Sequence, residues 1–115
     1  MKRFVEAKVS FEGIHSWANA PEDVYFLRSP HRHVFTVIAR KEVCHNDRDV
    51  EFIMLGRKIK DLIEAIWPQQ RPGYGAFELG STSCEMIAER LVNDLGLSEC
   101  AVYEDMENGG IIRMD

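Results

Sequence analysis

Two stretches of the chain alternate in character from residue to residue. In Arg3 to Glu12, the apolar Val5, Ala7, Val9 and Phe11 share one parity, as in a strand with one face on a core. From His31 to Val43 both parities are apolar, with Val34, Thr36 and Ile38 on one side and His33, Phe35, Val37 and Ala39 on the other; this predicts a strand buried on both faces. The period then changes. Phe52, Leu55, Ile59, Leu62, Ile63 and Ile66 fall on one helical stripe, which Pro68 ends. Thr82 and Glu85 have the spacing of a capping box, opening a second helix that turns Met86, Ile87, Leu91, Val92 and Leu95 inward until Gly96. Cys100 to Glu104 reads as a short strand, Glu107 to Gly110 as a turn and Ile111 to Met114 as the last strand. Residues 17–30 and 65–80 read as loops.

This order predicts an α+β domain covering residues 1–115, a four-stranded antiparallel sheet with two helices on one face (ββααββ). Two helices cover only one side of such a sheet, and the strands carry apolar residues on both. The second face and the edges therefore call for other copies of the chain, a homo-oligomer; a polar, solvated second face is the alternative.

Composition narrows the function classes. With 45% hydrophobic and 29% charged residues the 115-residue chain is globular in type, without a disorder signature. Its net charge of −5, with basic residues scattered, gives no footprint for nucleic acid or an anionic membrane. The apolar runs are too short to span a bilayer and the N-terminus lacks a signal-peptide pattern, so a cytoplasmic protein is expected. Cys44, Cys84 and Cys100 are odd in number and lack Cys-x-x-Cys spacing, which suits reduced packing thiols.

The candidate chemistry lies in the histidines. His31 and His33 share a strand face, and counting on from Phe11 with the same parity reaches His15. If the first two strands pair, three imidazoles converge, and a three-histidine set with an open fourth position is the geometry of a catalytic zinc site. A His-x-His pair in an arbitrary protein is more often solvated or hydrogen-bonded; three histidines packing at a barrel interface is the corresponding reading here.

The order of elements, the histidine in Phe11-Glu12-Gly13-Ile14-His15, the pair His31-Arg32-His33 and a glutamate ending a late strand resemble the 6-pyruvoyl-tetrahydropterin synthase and 6-carboxytetrahydropterin synthase family over nearly the whole chain. Val50-Glu51-Phe52 is similar to that family's acid-Phe pair, and Ser83-Cys84-Glu85-Met86-Ile87-Ala88 to its Thr-x-Glu-Asn-x-Ala segment. The resemblance implies a tunnelling fold (T-fold) that assembles through barrels, usually as a hexamer, with Zn2+ on His15, His31 and His33. It also implies that Glu104 anchors a pterin ring, with Ser83 beside the ligand. A carboxylate accepts two parallel hydrogen bonds from the amino group and ring nitrogen of a pterin or guanine-like ring, which a single acceptor cannot match. Arg28, in the loop before the pair, is placed to hold a phosphate or carboxylate tail.

The chain departs from the family at two places. Leu27 stands where the synthases carry their proton-transferring cysteine, and residues 65–80 contain neither member of the Asp-His pair used in proton relay. Asp105, Tyr74 and Cys44 remain as catalytic candidates, Cys44 being next to His45 in a turn where adjacent side chains diverge. Two functions follow. One is a zinc-dependent carbon-oxygen lyase or related enzyme acting on a reduced pterin such as dihydroneopterin triphosphate, within pterin or 7-deazapurine biosynthesis. The other is a non-catalytic protein that binds or sequesters a pterin, guanine or nucleotide-derived ligand.

Overall fold

The computed structural model describes residues 1–115. Strands β1 (Arg3–His15) and β2 (His31–Val43) form the centre, paired antiparallel from Arg3 opposite Val43 to His15 opposite His31. A 3-10 helix (Glu22–Arg28) lies in the connection between them. Helix α1 (Phe52–Ile66), strands β3 (Gln69–Arg71) and β4 (Tyr74–Gly80), helix α2 (Cys84–Leu95) and the hairpin β5 (Glu99–Glu104) and β6 (Asn108–Arg113) complete the chain. The sheet order is β3-β4-β1-β2-β5-β6.

The expected T-fold, a ββααββ arrangement with a four-stranded antiparallel sheet and two helices, is therefore incorrect. The sheet has six strands, β4 runs parallel to β1, and the 3-10 helix is a third helical element. The missed strands come from residues 65–80, read as a glycine-rich loop. Their turn residues dominate the local signal, yet Phe77 and Leu79 alternate with Glu78 and are buried in the core. Tertiary packing overrode a weak local propensity. No helix is long and apolar enough to cross a membrane.

Both helices cover one face of the sheet. Leu55, Ile59 and Ile63 of α1 and Ile87, Ala88, Leu91 and Val92 of α2 meet Val9, Phe35, Val37, Ala39, Cys100 and Val102. Helix α1 begins at Glu51, whose carboxylate accepts the amides of Ile53 and Met54. Helix α2 is capped by Ser83 rather than Thr82: the Ser83 hydroxyl accepts the Met86 amide at 3.2 Å. Thr82 is one residue too early because its amide closes a turn onto the Leu79 carbonyl. Phe52 and Met86, expected inward, are mostly exposed.

The other face is mixed rather than apolar. Glu6, Arg40, Glu99 and Arg113 oppose one another across four adjacent strands and form ion pairs in sequence. Between them Thr36 hydrogen-bonds Ser10, while Phe4, Val34 and Ile111 stand about half exposed. The last hairpin turns at Asp105–Glu107, three residues earlier than expected, with Asp105 and Met106 at positive φ. Gly109 and Gly110 belong to the strand instead, where a Cβ at Gly110 would lie 2.6 Å from the Glu85 side chain. Gly110 permits the close approach of α2 to β6, while a Cβ at Gly109 would run into Val102 and Tyr103 of β5.

Gly13 has a comparable role beneath the histidines, since a Cβ there would lie 2.6 Å from Leu79 and 2.9 Å from Phe35. Gly13→Ala is expected to destabilise the fold by about 1–3 kcal/mol through overpacking. A urea titration showing an unchanged midpoint would contradict this.

Candidate metal centre

Pairing of β1 with β2 places His15 directly opposite His31, and His33 opposite Gly13, all on the core face at one end of the sheet. The ring centroids of His15 and His31 are 4.6 Å apart, those of His31 and His33 5.1 Å, and those of His15 and His33 5.8 Å. Phe35 lies beneath, edge-on to His15 and His33. One ligand atom from each histidine lies within 4.8 Å of the others. This cluster can bind a metal ion.

Each ring is held from outside through Nδ1. His15 Nδ1 is 2.8 Å from the Thr82 carbonyl and His31 Nδ1 is 2.9 Å from the Ser29 carbonyl. A carbonyl only accepts, so in both neutral rings Nδ1 carries the hydrogen and Nε2 presents a lone pair. His33 Nδ1 lies 2.6 Å from the Asp105 carboxylate, whose other oxygen accepts the Val34 amide at 2.9 Å. These two bonds, His33 first, hold the Asp105 carboxyl below the usual range. Outer carbonyls and carboxylates fixing Nδ1 are the arrangement found around metal-ligating histidines. His15 Nε2 is a buried side-chain nitrogen with no hydrogen-bond partner in the protein; buried polar atoms are ordinarily satisfied, so this one is suited to ligate a cation.

His15 and His31 border a cleft of about 420 Å³ whose wall includes Trp17, Leu27, Ser83, Cys84, Met86 and Glu104, a size suited to a small ligand. Glu104, on the core face of β5, places Oε2 3.4 Å from His15 Nε2 and Oε1 3.3 Å from His33 Nε2. The Cys84 thiol donates to Glu104 at 3.7 Å, and burial with the neighbouring carboxylate pushes that thiol up to about 12. Burial does the same to Cys100.

Of the residues singled out from the sequence, the structure brings together His15, His31, His33, Glu104, Ser83 and Asp105. Ser83 lines the cleft, but its hydroxyl caps α2. Arg28 stands outside the cleft wall, engaged by the Ala20 carbonyl and Glu22. Tyr74 is exposed at the far end of β4, roughly 20 Å along the strand from the histidines, with its hydroxyl bonded to Arg71. Cys44 follows the other end of β2, roughly 40 Å from His31. Arg32 faces the opposite side and pairs with Glu12. Sequence reasoning missed Cys84, read only as packing, and the link from Asp105 to His33, which depends on where the hairpin turns.

Replacing Asp105 with Asn should lower divalent-metal affinity about 10–100-fold with the fold intact; calorimetric titration beside circular dichroism checks both halves. At pH 8 a disulfide reagent should titrate Cys44 rapidly and the other two thiols only on unfolding. Because Cys84 and Cys100 are raised, their contribution to stability is complete below about 9, the ordinary thiol value, and declines as pH rises towards about 12. Denaturant midpoints that stay level across that interval would contradict the burial of these thiols.

A scan against protein-family models finds none that matches this chain, and a search of curated proteins finds no match.

Proposed function

We propose that this protein binds zinc through His15, His31 and His33 and acts on a reduced pterin or a related purine-like ligand held in the adjoining cleft. The observation that carries the metal half is the set of three rings with Nδ1 engaged from outside and one ligand atom of each within 4.8 Å of the others. Three imidazoles suit zinc, which takes nitrogen donors without a demanding geometric preference. The resemblance to the 6-pyruvoyl and 6-carboxytetrahydropterin synthases supplies the ligand class. Glu104 in the cleft wall is consistent with it, since a carboxylate there can receive the amino and ring N–H groups of the heterocycle.

When bound, zinc supplies a Lewis acid able to polarise a substrate oxygen. The chain's own groups do the rest. Ser29, Thr82 and Asp105 orient the imidazoles. Trp17, Leu27 and Met86 give the cleft apolar walls that exclude water from a planar ring. Proton transfer falls to Glu104, with Cys84 beside it, because Tyr74 and Cys44 are distant and Asp105 is committed to His33 Nδ1.

The second reading, a protein that holds such a ligand without turning it over, is favoured by one feature of the cleft. The position of the family's thiol base is filled by the apolar Leu27, and the thiol that is present, Cys84, is kept protonated. In either reading the half-exposed Phe4, Val34 and Ile111 on the uncovered sheet face support a homo-oligomer, and the family resemblance supplies a hexamer as its form.

Protein purified without chelator should carry about one zinc per chain, as a three-histidine site predicts. Zinc-loaded protein incubated with dihydroneopterin triphosphate and followed by mass-resolved chromatography should yield a product that His33→Ala does not form. Substrate retained unchanged would select the ligand-holding reading. Neither retention nor turnover would remove the pterin class.

A further inference from the structure

The lone pairs at the histidine cluster face a fourth acceptor. Thr82 fixes the hydrogen of His15 on Nδ1, so the buried Nε2 turns a lone pair towards Glu104 Oε2 at 3.4 Å. His33, tied through Nδ1 to Asp105, turns its Nε2 towards Glu104 Oε1 at 3.3 Å. Two imidazole lone pairs against one carboxylate repel in a partly enclosed setting unless a proton or a metal cation lies among them. Four donors at about 2.05 Å from one tetrahedral ion stand about 3.3 Å apart along each edge. Both contacts to Glu104 have that spacing, one through each carboxylate oxygen, and the histidine ligand atoms lie within 4.8 Å of one another.

We infer that Glu104 closes the metal centre as its fourth protein ligand in the resting protein, making a three-histidine, one-carboxylate site in place of an open one. This rests on the metal half of the proposed function and changes what Glu104 does there. A carboxylate on the metal is not free to hold a heterocyclic ring, so ligand entry has to turn Glu104 away from the ion. Cys84 is placed to receive it: its thiol already donates to Oε2 at 3.7 Å and it lies in the cleft wall. Glu104 would then leave the metal as the ring arrives, and the fourth position opens only when the cleft is filled. Asn108, paired with Glu104 across the hairpin, lines the same side of the cleft.

The test uses metal alone, with no pterin present. Zinc affinity of the full chain is measured by competition with a chromophoric chelator for the native protein and for Glu104→Gln, and the visible spectrum of each is recorded with Co2+. Loss of a direct ligand should weaken zinc by at least about tenfold, the lower bound for losing even an outer-shell partner, and should alter the Co2+ ligand-field bands. Equal affinities and superimposable spectra would overturn the inference while leaving the three-histidine site and the ring-anchoring role of Glu104 in place. If the native chain takes up no zinc, the proposed function falls, and the inference with it. X-ray absorption on the zinc-loaded native protein needs no variant, and so remains decisive should Glu104→Gln fail to fold. Three imidazoles and one carboxylate in the coordination shell support the assignment; three imidazoles and water overturn it.

Discussion

Thirteen residue pairs, from Arg3 opposite Val43 to His15 opposite His31, run between β1 and β2 without a bulge. Because side chains alternate along each strand, this ladder decides which face every histidine meets, and a slip of one residue would turn His31 and His33 towards the side now occupied by Arg32 and Glu12. The same register that buries Val9, Val37 and Ala39 against the helices carries the imidazoles to the end of the core face. The core and the histidine cluster are thus one periodic pattern continued, apolar along most of its length and imidazole at its end. Changes that loosen the first disturb the second. Gly13 shows the coupling most directly, since the space its missing side chain leaves is filled by Phe35 and Leu79, and Phe35 is the floor beneath the rings.

Convergence alone would not make a metal site, because three neutral imidazoles can hydrogen-bond to water or to one another. The outer contacts remove that freedom. Two backbone carbonyls and a carboxylate fix the hydrogens on the far side of the rings, and their sources are spread over the chain: Ser29 precedes β2, Thr82 precedes α2, and Asp105 begins the turn after β5. Three separate connections must therefore be in place before the cluster has its donor geometry. The clamp around Asp105 illustrates the precision involved. Its amide donates to the Val34 carbonyl while its carboxylate receives the Val34 amide and faces His33, so one residue at positive φ joins the hairpin to the metal centre.

The sequence made the two long strands, both helices and the histidine set legible, because each rests on a periodicity sustained over many residues. Val5 through His15 needs only a count by twos, and Leu55, Ile59 and Ile63 recur at helical spacing. What escaped was short or depended on register. Strands β3 and β4 are held by pairing to one another and to β1, and Gly73 and Gly75 at positive φ make the hairpin resemble a loop. The Gly109-Gly110 pair suggested a turn, although Gly109 serves close packing against β5 and Gly110 against α2. The approach of Glu104 to the imidazole nitrogens was hidden for a related reason: it depends on how β5 pairs with β2, and nothing local to Val102-Tyr103-Glu104 specifies that Glu104 lies opposite Phe35.

The cleft's character follows from which groups are free once the framework has taken what it needs. Ser83 is committed to capping α2, Asp105 to His33, and Arg28 to the loop that carries it. Leu27 adds apolar surface, and Trp17 an aromatic face with a single indole donor. Among the residues in contact with the imidazole nitrogens, only Glu104 combines charge with freedom to choose between partners. A carboxylate so placed can be shared among a metal ion, the Cys84 thiol and an incoming ring, though not given fully to all three at once. Under the proposed metal and ligand assignment, competition for Glu104 would link the two and make occupancy of the cleft and coordination of the ion interdependent.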